Sequence, residues 1–160
     1  SVFSLIDTPP ETDTGKRTLT RAQGKIRFEN ISLQYEGKSD AALMNVSLDI
    51  APGETIALVG SSGGGKTSLV NLIPRFYTPT SGTVLLDDIP INEIVLQNLR
   101  AQIALVSQDV VLFNDTVSAN IAYGLNGRVT QNDIAAAARA ASPRAARGGA
   151  TGAIVTTSPV

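Results

Sequence analysis

The chain has 160 residues, 42% of them hydrophobic, enough for one domain with a real core. It contains neither histidine nor cysteine, which excludes imidazole chemistry, disulfides and thiolate metal sites. Its net charge of −1 and pI of about 5.3 offer no global positive field to nucleic acid, and no stretch approaches the roughly 20 apolar residues that cross a bilayer.

Taken from its first residue, Ser1 rather than methionine, the chain reads as a fragment or a processed piece with no signal-peptide pattern. Residues 1–24 carry Pro9-Pro10 and then a polar run, and they read as a linker. From Lys25 two period-two alternations, Ile26/Phe28 and Ile31/Leu33/Tyr35, are offset by one residue, which predicts a strand with a bulge. Val46, Leu48 and Ile50 alternate again, so two antiparallel strands precede the next segment.

That segment is the most informative of the chain. The apolar run Thr55-Ile-Ala-Leu-Val59 predicts a buried strand, and Gly60-Ser61-Ser62-Gly63-Gly64-Gly65-Lys66-Thr67-Ser68 follows it directly. The spacing fits G-x-x-x-x-G-K-[ST], and a helix start after it completes the strand–loop–helix context of a phosphate-binding loop. Backbone N–H groups of the glycines and the positive end of the helix suit phosphate oxygens. Lys66 suits the β- and γ-phosphates of a nucleotide, and the Thr67 hydroxyl suits Mg²⁺.

The helix is expected to end near Ile73, because Pro74 disfavours α conformation before it. Residues 77–82 read as loop, 83–86 as a strand and 87–90 as a turn; Asn92 is a candidate cap for a helix over 93–102. Ile103-Ala-Leu-Val-Ser107 is a second buried-strand run and ends in Gln108. A short helix is expected over 116–122, and Thr130-Gln-Asn-Asp133 opens an alanine-rich helix that Pro143 ends. Strands alternating with helices around a phosphate loop give an α/β class: a P-loop NTPase core with a mainly parallel sheet, plus an antiparallel β subdomain. After Asp133 there is no acidic residue, and 142–160 reads as a small-residue, low-complexity tail, either natural or frameshifted, without a docked structure.

Over roughly 3–141 the order of these motifs resembles the nucleotide-binding domain of ATP-binding cassette exporters, with residues 1–24 as linker, 25–141 as a partial domain and 142–160 as the tail. The resemblance implies ATP and Mg²⁺ as cofactors. It gives Tyr35 the role of an aromatic that stacks on adenine, and Gly60, Ser61, Ser62, Gly63, Gly64, Gly65, Lys66, Thr67 and Ser68 that of the phosphate cradle. Gln108 falls on the family's glutamine loop, where the amide contacts Mg²⁺ or the attacking water; Lys66 and Gln108 are thus the catalytic candidates and Thr67 and Gln108 the metal candidates. Gly64 stands where the family often has serine.

Four segments, 5–10, 52–60, 71–77 and 109–124, are similar to the family's bacterial lipid A exporters. That similarity implies an ATPase coupled to lipid transport at the cytoplasmic face of the inner membrane, partnered by a transmembrane domain and a second nucleotide-binding domain. Exporters of drugs or peptides share nearly all these motifs, and a non-catalytic nucleotide-binding fragment also fits. A soluble P-loop kinase or GTPase has no place for Tyr35 and Gln108 in this order. The family's Leu-Ser-Gly-Gly-Gln signature, its Asp-Glu strand end and its switch histidine do not occur in the sequence, so the domain reads as truncated before the signature.

Overall fold

The structure is a computed structural model that describes residues 11–106, 112–123, 129–141 and, as backbone, 153–156. Strands β1 (Ile26–Gln34), β2 (Ala41–Ile50), β4 (Ser81–Leu86) and β5 (Ile89–Pro90) form one sheet in the order β2-β1-β4-β5, every pair antiparallel. The offset alternation in β1 becomes a bulge. The register shifts between Phe28 and Ile31, where Asn30 takes a φ of 50°, and Ile26, Phe28, Ile31 and Leu33 all remain buried on one face. A hydroxyl serves each of the two asparagines with positive φ in these strands: Ser47 Oγ accepts from the Asn30 amide at 3.0 Å, and Ser32 Oγ accepts from the Asn45 amide at 3.0 Å.

Between β4 and β5, Asp87 and Asp88 both have positive φ, 51° and 62°, as a primed two-residue hairpin turn requires. Helix α1 (Lys66–Leu72) lays Leu69 and Leu72, followed by Ile73, against Phe28, Ile31 and Ile50 of the sheet. Helix α2 (Leu96–Ala101) adds Leu99, and with it Ile91 and Ile94 close the core. This helix is shorter than the expected 93–102. Ile91–Glu93 is a separate 3-10 turn, the extended Ile94 points fully into the core, and Asn92 caps nothing in α2. Its cap comes instead from far away: Asp13 Oδ2 accepts from the Leu96 amide at 2.8 Å.

Residues 11–24, expected as linker, lie along this edge of the fold through polar bonds. The Lys16 and Arg17 amides donate to Glu93 O, the Val95 amide donates to Arg17 O, and Asn98 exchanges two bonds with the Leu19 backbone. Gln102 Oε1 accepts from the Ala22 amide and Asp87 from the amides of Gln23 and Lys25, while Arg100 grips Glu11 with two bonds of 2.7 and 2.6 Å.

Strand β3 (Thr55–Leu58) pairs antiparallel with β6 (Ala153–Thr156), with Thr55 opposite Thr156 and Leu58 opposite Ala153. Two expectations change here. The stretch read as an undocked tail contributes a strand at 153–156, its remaining residues lying outside those described. In addition, the run 103–106 forms no ladder, so the parallel strands expected beside β3 are not among the described residues; Val106 is 94% exposed, and an apolar run without a neighbouring strand has nothing to pair with.

Helices α3 (Val117–Ile121) and α4 (Gln131–Ala141) belong to a second compact unit. Thr116 Oγ1 caps α3 by accepting from the Ala119 amide at 3.1 Å. Thr130 and Asp133 form the reciprocal capping box anticipated for α4. Asn120 ties the loop before α3 in place by donating to the carbonyls of Phe113, Asp115 and Thr116, and Phe113 stacks on Tyr123 at 4.2 Å.

Candidate functional site

The loop between β3 and α1 is shaped by what lies behind it. Gly65, the N-cap of α1, has φ 77°, and a Cβ built there would stand 2.4 Å from Ala42 O and 2.8 Å from Leu43 Cδ2. Strand β2 therefore presses the loop outward, and only a residue without a side chain lets α1 begin so close to the sheet. Ser61, Ser62, Gly63 and Gly64 are exposed, and the Gly64 amide closes a small turn on Ser61 O at 3.2 Å. Gly60 opens the loop at φ 151°.

Lys66, first in α1, curls back over this turn. Its Nζ donates to Gly60 O at 3.0 Å and to Ser61 O at 2.6 Å, so the ammonium spans the mouth of the loop. A mobile cation bonded to two neutral carbonyls has stronger partners available in phosphate oxygens, because charge-assisted bonds are about twice as strong as neutral ones. Thr67 next to it is exposed. Ser68 is the buried member, and its Oγ is 2.8 Å from the hydroxyl of Tyr35. Tyr35, half-buried just beyond β1, also meets Tyr77 edge to face, with ring centroids 4.9 Å apart and planes at 83°.

The structure thus brings Tyr35 to the phosphate-loop helix, although 33 residues separate it from Ser68. Gln108 lies outside the described residues. Tyr77 is the residue that sequence reasoning passed over: it stands in a loop with no motif of its own, and its link to Tyr35 depends on how α1 packs against β1. Asp87 and Asp88, the only adjacent acidic pair, are engaged elsewhere. Asp87 receives two backbone amides, while Lys25 and Arg27 hold Asp88 and depress its pKa below the ordinary carboxylate value, the Lys25 bond foremost. No cluster of three acidic residues that could hold a metal occurs among the described residues. An open groove of about 740 Å³ lies away from the loop, and Arg27 on its wall pairs with both Glu29 and Asp49.

A strand, a glycine loop and a lysine-headed helix follow in the order expected of a phosphate-binding loop, and the family model for ABC transporters matches residues 43–151, across all of it. The chain belongs to the ABC transporter family. Its relatives include proteins named ATP-dependent lipid A-core flippase: that of Thiobacillus denitrificans is 52% identical over 141 residues, which is 88% of this chain and 24% of the relative. That of Albidiferax ferrireducens is 55% identical over 142 residues, 89% of this chain and again 24% of the relative.

Among solved structures, a bacterial Atm1-family ABC exporter with ATP bound superposes with a TM-score of 0.71 at 35% identity, over 86% of this chain and 24% of that one. The chain thus shares the fold of the nucleotide-binding domain of ABC exporters, with its antiparallel β subdomain, and spans about a quarter of the length of the relatives it matches. ABC ATPases in general bind ATP with Mg²⁺.

Proposed function

We propose that this chain is the ATP-binding part of an ABC exporter that couples ATP hydrolysis to transport of a lipid A-like lipid, at the cytoplasmic face of the bacterial inner membrane. The observation that carries the ATP-binding half is Lys66 Nζ, held at the mouth of the glycine loop by the carbonyls of Gly60 and Ser61. The lipid half rests on the flippase relatives.

On this reading Lys66 releases the two carbonyls and takes the β- and γ-phosphates, the exposed amides of the loop receive phosphate oxygens, and Tyr35 stacks on adenine. The Thr67 hydroxyl and Gln108 would hold Mg²⁺, which would supply neutralisation of phosphate charge. Thr67, exposed at the head of α1 next to Lys66, carries the kind of oxygen donor that such a metal takes. The site is half of a sandwich, completed by the signature loop of a second nucleotide-binding domain, and the transmembrane domain of the same transporter is the other partner. Isothermal titration tests the carrying observation. Lys66→Ala is expected to weaken Mg-ATP binding by about 2 kcal/mol or more, the upper range for a charged hydrogen bond. Unchanged affinity would remove the phosphate-loop assignment.

A further inference from the structure

Tyr35 is restrained from two sides by residues of different elements: its hydroxyl by Ser68 in the first turn of α1, its ring by Tyr77 in the loop beyond α1. Neither contact is needed to bury the ring, since Tyr35 is only half-buried and Tyr77 is 41% exposed. Tyr35 packs against the edge of the core, and the edge-to-face contact with the more exposed Tyr77 fixes where its ring points.

We infer that Tyr77, with the Ser68 hydroxyl, is a positioning residue for base recognition, holding Tyr35 ready to receive the aromatic base of a nucleoside triphosphate. This rests on the phosphate-loop reading given above. A lone tyrosine at a strand end loses rotamer freedom when a base stacks on it, whereas a ring already held between two partners has less to lose. The Ser68 bond also makes the base platform part of the phosphate-loop helix, so base and triphosphate are presented in one register. Because stacking reads a π-face and not base edges, the device serves adenine and guanine alike.

The test compares a ligand that has a base with one that lacks it. Mg-ATP, Mg-GTP and Mg-tripolyphosphate are titrated against the 160-residue chain in competition with a fluorescent ATP analogue. Tyr77→Leu is expected to weaken ATP and GTP about threefold to tenfold, the range of an aromatic pair contact, and to leave tripolyphosphate unchanged; Tyr77→Phe, which keeps the ring, restores parent affinity. Equal weakening of all three ligands, or no weakening of any, overturns the inference. If Tyr77→Leu does not fold, Tyr35→Phe replaces it. Removal of the Ser68 bond must then lower nucleotide affinity against tripolyphosphate, and an unchanged ratio overturns the inference. Lys66→Ala separates the two claims: if tripolyphosphate binds it as well as the parent, the phosphate-loop reading fails whatever Tyr77 does.

Discussion

Gly65 and Lys66 are neighbours with opposite kinds of importance. A methyl group at Gly65 collides with Ala42 O at 2.4 Å and must also hold a left-handed φ of 77°, which alone costs roughly 1–2 kcal/mol in an L-residue. Gly65→Ala is expected to lower the melting temperature by about 5 °C or more, read by circular dichroism, and to lose nucleotide binding as a consequence. Lys66→Ala deletes two bonds from a partly exposed ammonium to a loop, so it is expected to lose binding while melting within a degree or two of the parent. The strand–loop–helix run through Gly60 to Ser68 is legible in the sequence because the motif is local. The partners of Tyr35 are not legible, because a tyrosine 33 residues from Ser68 meets it only after β1 and α1 have packed.

Elements divide along the same line. The bulge in β1 and the Thr130–Asp133 capping box are written in a few consecutive residues, and both occur where the pattern put them. The cap of α2 comes from Asp13, 83 residues earlier, and periodicity carries no trace of it. In residues 11–24 the polar run gave no sign of docking, yet the segment lies on the fold through backbone and amide hydrogen bonds, with Leu19 and Ala22 packed against the core. Gly15 shows how close the docking is, since a Cβ there would lie 2.2 Å from Ile94 O. Gly15→Ala is expected to cost about 1–3 kcal/mol and to speed tryptic cleavage at Lys16 and Arg17. Retained protection of those sites would show that the segment is held in some other way.

The same docking makes stability fall in acid. Bonds from the Leu96 and Gly15 amides, with Arg75 nearby, hold the Asp13 pKa below its ordinary value, and the Arg100 bond does the same for Glu11. A depressed folded pKa contributes stability that is present above the unfolded value of about 4 and is lost as pH falls through the folded one. Acid titration followed by fluorescence or circular dichroism is expected to show this loss below about pH 4, with a shallower limb in Asp13→Asn.

At the scale of the molecule, binding and turnover come apart. Phosphoryl transfer to water needs lysine and metal on the phosphates, an oriented water, and groups that stabilise charge as the bond breaks. The chain supplies Lys66 and Thr67 for the first, but its sequence holds no histidine and no signature loop for a partner's site, and Asp87 and Asp88 are committed to the β4–β5 turn. The 160-residue chain is therefore expected to bind Mg-ATP weakly at best and to release no phosphate above background, alone or mixed with itself. Steady phosphate release that vanishes in Lys66→Ala would overturn this. The pairing of β3 with β6 also has a bearing on how the molecule reaches its fold. The strand that leads into the glycine loop finds its described ladder partner near the far end of the chain, so among the described ladders it closes the longest loop and pays the largest chain-entropy cost before any contact rewards it. The phosphate loop should then acquire its final geometry among the last events of folding, after the β1–β2–β4 sheet has formed, and refolding monitored by nucleotide binding should lag behind refolding monitored by backbone signal.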